Sequence, residues 1–209
     1  QNYVNPEKGV ADVKESLAGA RDIIAEVISE EAEVRKQMRE FFSRQGIIQT
    51  TVAKGKEIEG EKYRDYFSWS EALSKAPGHR LLAMFRGENE DILKLSIRPD
   101  ETRALEMLFQ RFVRGNGACT EQVSEAVTDG FRRLLAPSME TEIRQEAKKR
   151  ADLEAIAVFA SNLRELLMAS PLGQKRVLAI DPGIRTGGKV VCLDGQGKLL
   201  FHTALYFLS

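Results

Sequence analysis

The residue best placed for chemistry is Asp181. The run Val177-Leu178-Ala179-Ile180 has the composition of a short buried strand, and it ends in this carboxylate with Pro182-Gly183 turning the chain behind it. A carboxylate at a strand end suits a hard cation such as Mg²⁺. A pair of such metals can clamp a phosphodiester for in-line attack by water, but that arrangement needs several carboxylates. After Asp181 the only remaining acid is Asp194. It sits in Asp194-Gly195-Gln196-Gly197, which is hairpin-turn chemistry, and it should face away from any site shared with Asp181. The chain by itself therefore cannot build a two-metal centre. Asp181 reads as a strand-end residue that hydrogen-bonds its own turn.

The candidates for binding are cations beside glycine-rich turns. Arg111 and Arg114 precede Gly115-Asn116-Gly117, a small basic turn able to meet phosphate through side chains and backbone N–H groups. A helix C-cap explains the same residues. Arg185, Lys189 and Lys198 make the last segment locally basic, with a solvated hairpin face as the alternative. Tyr63, Tyr66, Phe67 and Trp69 form an aromatic cluster that could stack bases if exposed but buries a large apolar area if packed. His79 beside Arg80 lacks a nucleophile in an elbow-type context and reads as a brace for the helix running toward Arg86 and Glu88. No phosphate-binding glycine loop, dinucleotide fingerprint, metalloprotease motif or serine-hydrolase elbow occurs. No catalytic residue, metal ligand or cofactor is assigned.

Composition narrows the class. The 209 residues carry 31 Lys+Arg against 31 Asp+Glu, so a polybasic chain that binds through bulk phosphate neutralisation is excluded. Hydrophobic residues at 43% and charged residues at 30% are those of an ordinary folded protein. Cys119 and Cys192 are far apart and no Cys/His cluster has zinc spacing, which favours a reducing compartment. No apolar run spans a bilayer, and the N-terminus has neither a secretory signal nor an initiator Met, as in a processed chain or a piece of a larger one.

The elements that must position these residues are mostly helical. Asp12 with Glu15 forms an acidic capping box, and Val13, Leu17, Ala20, Ile24, Val27 and Ile28 mark one apolar face. Ser29 is expected to cap a second helix with Val34, Met38, Phe41 and Phe42 inward, stopped by Gly46. Residues 47–52 and 92–97 read as strands, and 54–62 as a surface loop with a binding role in reserve. Ser68-Trp69-Ser70-Glu71 predicts a capping box opening a short helix, Pro77-Gly78 breaks it, 79–85 is helical, and 86–89 turns. Asp100 caps a helix that buries Leu105, Leu108, Phe109 and Phe112. Thr120 is expected to cap the next, with Val123, Val127, Phe131, Leu134 and Leu135 inward. Pro137-Ser138 then opens a helix to Met168 with Ile143, Ala147, Ile156, Phe159, Ala160, Leu163 and Leu167 on its apolar face. Glu140/Arg144 and Glu146/Arg150 are expected to pair at i,i+4 on its solvated face. Ser170-Pro171-Leu172-Gly173 marks a boundary, followed by strands at 177–180, 189–193 and from 198.

Several blocks together resemble one family. The strand-Asp-Pro-Gly opening is shared with RNase H-like folds of the RuvC and YqgF type. Leu17 to Glu26, Tyr63-Arg64-Asp65-Tyr66-Phe67 with Glu71, His79 to Ala83 followed by Arg86-Gly87-Glu88, Phe159 to Leu167, and the Asp181 block through Arg185-Thr186-Gly187 resemble, in order and spacing, the central part of the bacterial Tex family. The resemblance covers nearly the whole chain. It implies a helical core leading into a YqgF-like domain that lacks a full nuclease site. In the family a helix-turn-helix region precedes this part, and helix-hairpin-helix elements and an OB-fold RNA-binding module follow it.

The resulting expectation is a mainly α fold. Residues 1–137 form a helical central region, 138–170 a long connecting helix, and 171–209 the truncated start of an α/β RNase H-like (YqgF-type) domain. The expected role is that of a non-enzymatic, cytoplasmic, RNA-binding transcription accessory factor, this chain being its scaffold. Its partners would be RNA or single-stranded nucleic acid, bound mainly through modules outside the chain, together with RNA polymerase, and no membrane. Arg111, Arg114, Arg185 and Lys189 are the candidate nucleic-acid contacts, and Asp181 is a vestigial carboxylate. The alternatives are an RNase H-like Mg²⁺-dependent nuclease using Asp181, and a pure protein-interaction scaffold.

Overall fold

The structure is a computed structural model that describes residues 3–183 and 187–206. Helix α1 (Val13–Glu30) begins as the sequence implies. Asp12 accepts a hydrogen bond from the Glu15 N–H at 2.9 Å, and the Glu15 carboxylate reaches back to the Ala11 N–H. Its buried residues are Ala25, Ile28 and Ser29, whereas Val13, Leu17 and Val27 of the expected apolar face are exposed. Small residues decide which face is buried, because α5 (Ala118–Gly130) lies against α1 with Gly130 seated on Ala25. A Cβ at Gly130 would come within 3.1 Å of Ala25. Ser29 lies inside α1 and donates to the Glu26 carbonyl; the cap of α2 (Ala32–Gln45) is Glu31. Gly46 ends α2 for a different reason than a left-handed turn. Its φ is −59°, and a Cβ there would sit 2.3 Å from the Phe42 carbonyl oxygen.

The first sheet is antiparallel in the order β2-β1-β3, from β1 (Ile47–Val52), β2 (Ser68–Ala72) and β3 (Leu93–Arg98). Ile48, Thr50, Leu95 and Ile97 face the core, while Ile47, Gln49 and Thr51 face out. The helix expected from Ser68 is instead strand β2. Glu71 accepts from the Trp69 indole N–H at 3.0 Å, two residues away on the same strand face, and pairing with β1 replaces the local cap. Helix α3 (Gly78–Asn89) runs through the turn expected at 86–89. Gly87 belongs there because a Cβ would fall 2.6 Å from Leu93.

Asp100 caps α4 (Glu101–Phe112) as expected, accepting from the Arg103 N–H. Thr120 is not a cap. Gly117 precedes α5, and the Thr120 hydroxyl donates to the Arg114 carbonyl. From Ala118 to Met168 the chain stays helical, passing through a π-helical stretch at Phe131–Leu135 into α6 (Ala136–Met168). Pro137 therefore opens no new helix. The missing N–H and the ring of a proline disrupt the i→i−4 ladder, and a widened turn immediately before it relieves that demand.

The core joins Phe42, Met38, Ile48, Leu81, Met84, Ile97, Leu108 and Leu135 to one face of α6, namely Met139, Ile143, Ala147 and Ala151. The rest of the expected α6 face is uncovered: Ile156 is 62%, Phe159 67% and Leu167 75% exposed. Two compact units result, Gln1–Val158 and Phe159–Ser209. The second contains an antiparallel meander, β4 (Val177–Asp181), β5 (Gly188–Leu193) and β6 (Leu199–Leu205), in the order β4-β5-β6. The chain is mainly α, with a long helix followed by small antiparallel strands. No described helix is long and apolar enough to cross a membrane.

Candidate nucleic-acid interface

The expected contact residues fall in two places. In the first unit, the last turn of α4 carries Arg111, and the chain leaves it through Arg114 toward Gly115 (φ +77°) and Gly117 (φ +148°). These two glycines adopt backbone conformations that other residues rarely hold. Arg111 is already engaged. Its guanidinium pairs with Glu31, the cap of α2, and lies 5.7 Å over the Phe112 ring. The hydrogen bond to Glu31 holds Arg111 in its charged form even more firmly than usual. Arg114 differs: it is exposed, and among the described residues its side chain forms no ion pair. The turn thus offers one available cation where the sequence suggested two.

In the second unit, Asp181 and Lys189 are cross-strand partners in the β4–β5 register, both exposed. Among the described residues the two side chains form no ion pair, so Lys189 stays available. Arg185 lies outside the described residues. Asp194 is spent on its own turn, where one carboxylate oxygen accepts the Gln196 and Lys198 N–H groups at 2.9 Å each. From Lys189, level with Asp181, five strand residues carry the chain about 16 Å away to Asp194. The two carboxylates cannot share a metal. Among the described residues no group of three or more His, Cys, Asp or Glu side chains could hold one. The donor set does not fit a two-metal centre.

The aromatic cluster is filled rather than open. Arg80 lies 4.9 Å over the Trp69 ring and donates to Glu71 at 2.6 Å, and Tyr66 meets Trp69 edge-on at 6.0 Å. Tyr66 and Trp69 also pack on the core. The face that would stack on a base is thus occupied by a guanidinium. His79 is exposed in the first turn of α3, beside an Arg80 committed to Glu71.

The charged residues of α6 differ more from the sequence expectation. Glu140 and Arg144 do not pair with each other. Glu140 accepts from the Ile97 N–H and from Arg98, both at 2.9 Å, while Arg144 pairs with Glu88 and donates to the Leu95 carbonyl. Glu142 takes Arg35 and Arg39 of α2. Burial pushes the Glu142 carboxyl up, but hydrogen bonds from Arg39 and Arg35 outweigh it and hold the group below its ordinary range. Arg150 donates to the Leu73 and Ala76 carbonyls, and Glu154 accepts the Gly78 N–H that opens α3. The signal in the sequence is position, because Glu140, Arg144 and Arg150 each adjoin a buried residue of the Met139–Ala151 seam.

The charged side chains of α6 thus fasten α2, α3 and β3 one by one. The family model described as Tex central region-like matches residues 1–159. The chain belongs to this family. It is 40% identical to Protein YhgF of Escherichia coli K12 over 98% of its own length and 28% of that protein. It is 36% identical to the Transcriptional accessory protein Tex of Neisseria gonorrhoeae over 99% of the chain and 28% of that protein. The human S1 RNA-binding domain-containing protein 1 is 24% identical over 99% of the chain and 22% of that protein. The chain thus spans less than a third of the length of these relatives.

Proposed function

We propose that this chain is the helical scaffold portion of a non-enzymatic, RNA-binding transcription accessory factor acting in the cytoplasm. The observation that carries the reading is the Tex-family match over residues 1–159, on a fold whose long helix spends its charges on holding other elements. A relative named as a transcriptional accessory protein and another named for an S1 RNA-binding domain supply the nucleic-acid direction. In this reading the α4–α5 turn, through Arg114, and the β5 strand, through Lys189, touch phosphates. Arg185 joins them from the same basic segment. Arg111 serves the α2–α4 junction before any ligand. Modules beyond these residues carry most of the affinity, and RNA polymerase is the protein partner. Residues 171–209 are the opening of a YqgF-type RNase H-like domain, with Asp181 a remnant of its carboxylate set.

The test is RNA binding by a full-length Tex-family protein carrying Arg114→Ala and Lys189→Ala at the matching positions. For each single-strand phosphate that a substitution leaves unneutralised, the slope of log K against log salt should fall by about 0.7. An unchanged slope in both variants removes these residues from the interface. Mg²⁺-dependent cleavage that disappears in Asp181→Asn would replace this reading with a nuclease.

A further inference from the structure

The two edges of the first sheet are treated differently. Edge strands expose unpaired N–H and C=O groups, and folded proteins usually block them. On β3 the outward groups at Leu95 and Ile97 are met by α6, since Arg144 donates to the Leu95 carbonyl and Glu140 accepts the Ile97 N–H. On β2 the pattern of bonds to β1 fixes which groups point outward. The Leu73 N–H bonds the Gly46 carbonyl and the Val52 N–H bonds the Phe67 carbonyl. In the same register, Trp69 and Glu71 spend their backbone groups on Thr50 and Ile48, and Ser68, Ser70 and Ala72 direct theirs away from the sheet. Ser68 and Ser70 are exposed, and among the described residues no side chain bonds these outward groups.

We infer that the open β2 edge pairs with the β2 edge of a second copy of this chain, antiparallel across a twofold axis at Ser70. The register is self-complementary. With Ser70 opposite Ser70 of the second copy, Ser68 lies opposite Ala72 and Ala72 opposite Ser68, so all three outward-pointing residues on each strand meet bonding partners, as an isologous contact requires. The side chains agree with this placement. The small residues Ser68, Ser70 and Ala72 line one face of the joint. On the other face Trp69 of each copy lies opposite Glu71 of the other. That brings each Glu71 toward a second Arg80, whose guanidinium already stacks on Trp69 and bonds Glu71 within one copy. Two arginines and two glutamates then alternate about the axis with no net charge. A five-residue joint is small, so the dimer is weak and concentration-dependent.

The test is sedimentation of the 209-residue chain over a concentration series, with two variants. Ser70→Pro removes only an N–H that points away from β1, a position where an edge strand accepts proline. It should fold and unfold like the parent yet remain monomeric at concentrations where the parent dimerises. Ser70→Cys, with Cys119 and Cys192 replaced by Ser, should form an intermolecular disulfide under mild oxidation. Residues directly opposite in a bonded antiparallel pair lie about 5.5 Å apart at Cα, within disulfide reach. Ser74→Cys in the same background should cross-link far less. A parent that stays monomeric throughout, or cross-linking from Ser70→Cys no faster than from Ser74→Cys, overturns the proposal. So does a β2 edge that captures an extended segment of another protein while the chain remains a monomer.

Discussion

The two halves of α6 share one pattern and meet opposite fates. From Ala136 to Ala151 the apolar residues at steps of three and four are buried, with Ile143 only 1% exposed. From Leu153 to Met168 the same periodicity continues through Ile156, Phe159, Leu163 and Leu167, and the residues stand in solvent. Periodicity reports that a helix has a face; it does not report what covers that face. The charged anchors thin out along the helix as well, ending just inside the second half at Glu154. Glu140, Glu142, Arg144, Arg150 and Glu154 each hold another element of the first unit. Beyond them, among the described residues, Arg164 and Glu165 form no ion pair.

The largest effect expected from this contrast is in packing. Ile143→Ala should lower the unfolding free energy by about 2–5 kcal/mol, whereas Ile156→Ala should change it by less than about 0.5 kcal/mol. Urea denaturation of the chain measures both, and equal losses would mean that the second half is covered in solution. Next comes the polar clamp. Glu140→Ala leaves the Ile97 N–H without its partner and should cost about 1–3 kcal/mol, while Glu165→Ala should be neutral within the error of the same melts.

A smaller effect is tied to pH. The Glu142 carboxyl is held below its ordinary pKa of 4.5 in the fold. Its contribution is therefore fully present above the unfolded value and is lost as pH falls through the folded one. The stability difference between the parent and Glu142→Gln should be constant near neutrality and shrink as pH drops below about 4.5. A difference that grows on acidification would contradict the Arg35–Glu142–Arg39 clamp. The smallest effect is at Leu167. Its change to Glu adds a charge at an exposed site and should leave thermal unfolding unaltered.

What could be read from the sequence was local. The Asp12 and Asp100 caps, the strands near 47–52 and 92–97, and the Asp194 hairpin depend on neighbours within a few residues, and all appear. What could not be read depends on distant parts of the chain. Ser68–Ala72 is a strand because β1 pairs with it, although its residues also spell a helix cap. Arg111 is committed because Glu31, eighty positions away, reaches it. Glu140 and Arg144 have the i,i+4 spacing of a surface pair but serve β3 instead, since the strand edge needs them more than water does. The candidate contacts suffer from the same limit. Their residue types were evident, but which arginine was already spoken for was visible only once the fold brought partners together.

The central claim is that this chain holds binding modules in place and carries little affinity itself. The direct measurement is a pair of binding isotherms for one single-stranded RNA across a salt series, one with this chain and one with a full-length Tex-family relative. The account predicts weak binding by the chain with a slope of no more than about three phosphate contacts, and much tighter, salt-steeper binding by the longer protein. Equal affinity and equal slope for the two would contradict it.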